Sequence, residues 1–182
     1  MDYLCLEFVN SAWYISHKLF ADPIQDGNWM LQLAGKWNMN GLNPPTSKEL
    51  QLLIKQRNEI TNLFSKLVNG SSLDPLDLTL LNTYMENIDY KKKLLHKDTI
   101  YEFCVTPSKL NWEWFMSEVA ASFSAMYSSN YRSLIKICKN PDCGWHFLDE
   151  SKNHNRKWCD DTCSTLMKVR RFRQKQKKEG AL

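Results

Sequence analysis

Apolar residues in the first 130 positions recur mostly at helical spacing. The clearest helix begins at a capping box formed by Thr46 and Glu49, and apolar residues then follow at three- and four-residue intervals to Val68. Arg57 lies inside this apolar stripe, where we expect its stem to pack and its guanidinium to reach the surface. Further helices are predicted over residues 28–37, from SSLDPLDL onward, and over residues 108–127.

Two other segments carry β-strand patterns. In DYLCLEFVN, Leu4, Leu6 and Phe8 alternate with other residues, so we predict a strand there. The segment KKKLLHKDTIYEFCVTP sets β-forming residues between turn residues and predicts a strand or hairpin that ends at Pro107. The expected fold is therefore mainly α, with a multihelical N-terminal domain that contains a small β element.

The composition is typical of a packed protein that does not enter a membrane. Hydrophobic residues make up 43% of the chain, which is enough for a core and argues against disorder. No apolar run reaches the roughly 20 residues that span a bilayer. The N-terminal sequence MDYLCLEFVNSAW lacks the basic region of a signal peptide, so we expect a cytoplasmic location and no membrane partner.

Charge is distributed unevenly along the chain. Residues 1–130 carry 11 basic and 14 acidic side chains, whereas residues 131–182 carry 13 basic and 6 acidic ones. A basic C-terminal part on a mildly acidic body indicates an anionic partner for that part. We therefore predict two domains, residues 1–130 and residues 131–182.

The C-terminal part contains two closely spaced cysteine pairs. Pro141 and Gly144 bend the chain around the first pair, and we expect the second pair to start a helix with its cysteines four positions apart on one face. Four thiolates at this spacing predict one closed, structural zinc site rather than a catalytic one. Its binding free energy, roughly 10–16 kcal/mol, is enough to fold a small module. The predicted ligands are Cys138, Cys143, Cys159 and Cys163.

Three alternatives compete with an all-cysteine zinc site. Disulfides are rare in a reducing compartment. Thiol redox catalysis usually uses a Cys-x-x-Cys motif near a βαβ unit, and neither feature is present in the sequence. A mixed site with His146 or His154 as a ligand stays open, although His154 lies in the polar turn KNHNRK.

A strongly basic segment follows the last cysteine. Leu166, Val169 and Phe172 are three residues apart, and we expect them to pack one side of a helix onto the zinc module. The cations of this helix form a surface suited to phosphates, because their binding releases counterions from nucleic acid. The predicted nucleic-acid contacts are Lys168, Arg170, Arg171, Arg173, Lys175 and Lys178.

The stretch CKNPDCGWHFLDESKNHNRKWC, followed by KVRRFRQK, resembles the CGNR-type zinc finger, a C-terminal module of bacterial proteins predicted to regulate transcription. The opening LCLEFVNS is similar to the start of the ABATE domain that usually precedes this finger, and the helix that holds Arg57 is similar to the Leu-Arg helix of that domain. The resemblance implies a mainly helical N-terminal domain. One departure is clear, because Ser-Thr-Leu follows Cys163 where the family has Gly-Asn-Arg.

These observations predict a zinc-dependent DNA-binding protein that regulates transcription and is not an enzyme. The body would sense an unknown small molecule or form a homodimer. The first alternative is binding to RNA or another single strand, because Trp145, Phe147 and Trp158 interleave with cations. We expect these rings instead to pack around the zinc. The second alternative is an enzyme or ligand-binding activity in the N-terminal domain, for which the sequence offers no catalytic motif.

Overall fold

The structure is a computed structural model that describes residues 3–17 and 21–179, and for residues 97 and 177–179 it describes the backbone. The fold is mainly α, as predicted. The helices of this part of the chain are α1 (Leu4–Asn10), α2 (Trp13–Ser16), α3 (Gly27–Lys36), α4 (Ser47–Val68), α5 (Pro75–Glu86), α6 (Trp112–Ser128) and α7 (Asp161–Glu179). Two antiparallel hairpins complete it, β1 (Tyr90–Lys97) with β2 (Ile100–Pro107), and β3 (Ile135–Ile137) with β4 (His146–Leu148).

Helix α4 begins where the sequence places it. The Thr46 hydroxyl accepts a hydrogen bond from the Glu49 amide (3.3 Å), and the Glu49 carboxylate accepts one from the Thr46 amide (2.7 Å). This reciprocal pair satisfies two backbone donors that the first turn of a helix leaves without partners. The predicted helices around α3, α5 and α6 are confirmed as well.

The main core lies between α1, α4 and α6. Phe8 of α1 packs edge-on against Phe115 of α6, with ring centroids 5.6 Å apart. Phe64 of α4 and Phe123 of α6 pack in the same way at 5.1 Å. All four rings are fully buried, so these three helices form one continuous apolar interior.

The strand predicted near the N-terminus is wrong, because residues 4–10 form α1. All residues of α1 except Glu7 are buried. A helix covered on nearly every side shows no polar face, and its short apolar run then fits an alternating pattern equally well. The hairpin prediction is confirmed, with Leu94 opposite Phe103 in the β1–β2 register.

The expectation for Arg57 is also wrong, because its guanidinium is buried. Only 3% of the side chain is exposed, and it donates hydrogen bonds of 2.6 and 2.5 Å to the two carboxylate oxygens of Asp22. A third bond, of 3.1 Å, reaches the hydroxyl of Ser11. This charge pair ties α4 to the segment that precedes α3 and to the end of α1.

The C-terminal module packs directly on the helical body. Ile135 of β3 and Leu148 of β4 belong to the main core. The Asn10 side chain donates to the carbonyl of His146 and accepts from its amide, each bond being 2.8 Å long. The division into residues 1–130 and 131–182 stays a prediction.

Over residues 3–17 and 21–179, no helix has the length and apolar character needed to cross a membrane.

We predict that Asp22→Asn lowers the free energy of unfolding by about 3 kcal/mol, because it leaves the buried Arg57 charge without a counter-charge. Asparagine keeps the size of the side chain and can still accept from the amide of Ile24. Urea denaturation measures the change. Lys55→Gln is the control on α4, the helix that holds Arg57. It removes the pair between the exposed Lys55 and Glu59 and should cost less than about 0.5 kcal/mol. Equal effects of the two variants would contradict the assignment.

Candidate metal centre and basic helix

The four predicted cysteines come together in one cluster. Their Sγ atoms all lie within 4.8 Å of one another, and those of Cys143 and Cys159 are 3.6 Å apart. A tetrahedral zinc ion with Zn–S bonds of about 2.3 Å would place its sulfurs about 3.8 Å apart. The spacing of the thiols therefore fits a four-coordinate zinc site. Cys138, Cys143, Cys159 and Cys163 form this zinc-binding site.

The turn between β3 and β4 positions the first two ligands. Cys138 follows β3, and its amide donates to the Trp145 carbonyl at 2.9 Å. The Cys143 amide donates to the Asn140 carbonyl at 2.9 Å, which closes the turn. Gly144 follows with a φ of +67°, a left-handed conformation that glycine adopts without strain. Together these bonds point both sulfurs to the same side.

The second pair lies at the start of α7, although not as predicted. We expected Cys159 and Cys163 to share a helix face, but α7 begins at Asp161, so only Cys163 is helical. The Asp160 carboxylate accepts a 2.8 Å hydrogen bond from the Cys163 amide. An aspartate that caps a helix in this way fixes the first turn. The cap therefore separates the two ligands and determines where the helix starts.

Hydrogen bonds and burial set the proton affinity of the thiols. Although burial opposes it, backbone amides including that of Cys159 lower the pKa of the Cys138 thiol. Burial raises the pKa of Cys143 to about 11, and burial together with neighbouring thiols raises the pKa of Cys159 further. A zinc ion must therefore displace protons, so zinc affinity falls as the pH is lowered.

Neither histidine considered as an alternative ligand belongs to the cluster. The His146 ring is buried beside Phe64, at 5.3 Å between ring centroids, and burial lowers its pKa to about 4. His154 directs its Nδ1 to the carbonyl of Asp149, 3.0 Å away. The aromatic side chains of Trp145, Phe147 and Trp158 pack around the cysteines, as expected.

A buried carboxylate that the sequence analysis missed organises the loop between β4 and Cys159. Asp149 accepts hydrogen bonds from Lys136, from Ser151 and from the Arg156 amide. Although burial opposes it, these donors hold the pKa of Asp149 well below its usual range. Aspartate side chains commonly accept a hydrogen bond from the backbone amide two residues on, as Asp149 does from Ser151 at 3.1 Å, so the aspartate was a local indication of this turn.

Helix α7 is turned differently on the module from the orientation that we predicted. Leu166, Val169 and Phe172 are 41%, 40% and 61% exposed, so they do not pack on the zinc module. Beyond the first turn, the more enclosed residues of the helix up to residue 176 are Met167 and Arg170, four and seven positions after Cys163. Because Cys163 must face the metal, it fixes the helix phase, and residues at those spacings share its face.

The cations of α7 differ in what they contact. Arg170 is paired with Asp142 at 2.5 Å. This pair holds α7 against the turn between β3 and β4. Arg171 stacks over Trp158, with its guanidinium carbon 5.7 Å from the ring centroid. Lys168, Arg173 and Lys175 are exposed, and the Lys178 side chain lies outside the described residues.

We predict that the protein binds one zinc ion per chain and that Cys159→Ser abolishes stable binding, because a hydroxyl replaces one thiolate of the tetrahedral set. Elemental analysis after dialysis measures the content. Cys104→Ser is the matched control, since Cys104 lies on the β1–β2 hairpin outside the cluster, and this variant should keep its zinc. Full zinc content in Cys159→Ser would overturn the ligand assignment.

Removal of zinc should unfold the cysteine loops and α7 and leave the helical body intact. The loops have few apolar contacts of their own, whereas β3 and β4 are anchored in the main core. Circular dichroism during chelation should therefore show loss of only the helical signal of α7, and added zinc should restore it. A single cooperative loss of all helix would show instead that the body needs the metal.

Comparisons with known proteins bear on the C-terminal module. No curated protein gives a significant match to this chain. The resemblance of residues 1–130 to the ABATE domain stays a prediction. Residues 135–176, which include all four ligands and most of α7, match the model of the CGNR zinc finger family.

Proposed function

We propose that this protein binds duplex DNA through α7 and regulates transcription. The observation that carries the proposal is the rigid link between the zinc cluster and a basic helix. Cys163 is both a zinc ligand and a first-turn residue of α7, so the metal fixes the direction in which the helix leaves the module. The Arg170–Asp142 pair braces the same helix about two turns later.

The exposed cations of α7 suit a phosphate backbone. The helix has 19 residues and is therefore about 28 Å long, which is comparable to several base pairs of a duplex. Lys168, Arg171 and Lys175 recur at three- and four-residue intervals and so lie along one side. Contacts of such cations with phosphates release counterions, which provides affinity without base recognition.

The structure favours duplex binding over the single-strand alternative. Single-strand binders present aromatic rings on which bases stack. Here Phe147 is buried, and Trp145 and Trp158 are partly covered where they pack on the zinc cluster. These rings pack against the cysteines and so support the module itself.

We further propose that the protein is not an enzyme.

We also propose that the body responds to a small molecule or mediates dimerisation. A cavity of about 420 Å³ lies where α1 and α3 meet β4, and its walls include Tyr3, Glu7, Trp29 and Trp145. Mixed aromatic and polar walls at the junction of two packed units are common in small-molecule sites. An effector bound there would contact the body and the finger together.

The test of DNA binding is a titration of a duplex of arbitrary sequence at several salt concentrations. Lys168→Gln with Lys175→Gln should weaken binding and lower the magnitude of the log–log salt slope by about 1.8, since each phosphate contact contributes about 0.9. The effect should be similar for many sequences, because phosphates carry no sequence information.

Lys91→Gln with Lys93→Gln is the matched control, because it removes two exposed cations from β1 and changes the net charge equally. This control should leave the slope unchanged. Equal binding and equal slopes for the wild type and the α7 variant would refute the proposed role of α7. Stronger binding to a single-stranded RNA of the same length would favour the alternative function.

A further inference from the structure

A second basic surface lies where the zinc module meets the end of α4. It is a groove of about 570 Å³ between the end of α4 and the module. Five basic residues line it, and its lining contains no aspartate or glutamate. The basic residues of this groove are Arg132, Lys136, Lys139, Arg156 and Lys157.

Two arginines of the groove are held in place by neutral partners. The Arg156 guanidinium lies over the Phe147 ring, 5.1 Å from its centroid, and donates to the carbonyls of Trp158 and Cys159. Arg132 lies over Tyr127, 5.2 Å from the centroid of that ring. Since these contacts neutralise no charge, both arginines remain cations in fixed positions.

The lysines of the groove fall into two classes. Lys136 is paired with the buried carboxylate of Asp149, so its charge is already compensated. Lys139 and Lys157 are exposed, and over residues 3–17 and 21–179 neither has an acidic partner. Their backbones are joined, because the Lys139 amide donates to the Lys157 carbonyl at 2.9 Å. The two exposed lysines therefore lie on adjacent backbone segments.

Trp158 connects this groove to α7. Its ring supports the guanidinium of Arg171, and its carbonyl accepts a 2.8 Å hydrogen bond from Arg156 Nε. Trp158 thus contacts one cation of α7 and one cation of the groove. A polyanion lying along α7 would meet the groove cations next.

We propose that Lys139, Lys157, Arg156 and Arg132 form a second phosphate-binding surface that contacts the same DNA as α7. The proposal rests on the proposed function and extends it, because it makes the interface a continuous strip across the finger. The partner is the sugar-phosphate backbone of a duplex, which matches a groove lined only by cations among its charged groups. Preorganised cations bind phosphates at a low entropic cost.

The test compares two double variants in the salt titration of a duplex. Lys139→Gln with Lys157→Gln should lower the slope magnitude by about 1.8 and the affinity at 0.1 M salt by about tenfold or more. Both side chains are exposed, so zinc content and circular dichroism should stay as in the wild type. The control Lys91→Gln with Lys93→Gln should leave the slope unchanged.

The outcomes separate this inference from the proposed function. If the α7 variant weakens binding and the groove variant does not, the groove is no DNA contact and the proposed function stands. If the wild type binds no duplex, the proposed function itself fails. If the groove variant keeps DNA binding but loses binding to polyglutamate, the groove serves an acidic protein segment and the inference is overturned.

Discussion

The convergence of four thiols on one zinc ion is the constraint on which the C-terminal third of the molecule depends. The strands β3 and β4 have three residues each, and the apolar cluster around the cysteines is small. A structural zinc ion supplies roughly 10–16 kcal/mol, which replaces the contribution of a larger core. The same ion determines where α7 starts and which face it turns inward, because Cys163 must reach the metal.

A network of polar contacts links the zinc module to the helical body. Arg57 on α4 pairs with Asp22 and also donates to Ser11 at the end of α1. The neighbouring residue Asn10 exchanges two hydrogen bonds with the backbone of His146 in β4. Two consecutive side chains thus link a buried charge pair to the finger. A displacement of α1 would break the hydrogen bonds to β4, so this junction couples the helical body to the zinc module.

The sequence predicted those parts of the structure whose causes are local. A capping box identified α4, β-forming residues between turns identified the β1–β2 hairpin, and cysteine spacing identified the metal site. Features that depend on contacts between residues far apart in the sequence were not predicted. Burial on nearly all sides makes α1 look like a strand, and the partner of Arg57 lies 35 positions away. The phase of α7 depends on one ligand, so apolar spacing alone indicated Leu166, Val169 and Phe172 as the packed face.

The same metal explains why cations can be concentrated on so small a module. Residues 131–182 have a net charge of +7, whereas residues 1–130 have −3. Repulsion among like charges destabilises a compact state, and a module held only by hydrophobic contacts would tolerate few of them. Zinc coordination offsets that repulsion. Arg132, Arg156 and Arg171 also rest on aromatic rings, which position the guanidinium groups without neutralising their charge. The module is therefore rigid and keeps an excess of positive charge, two properties that favour recognition of a polyanion.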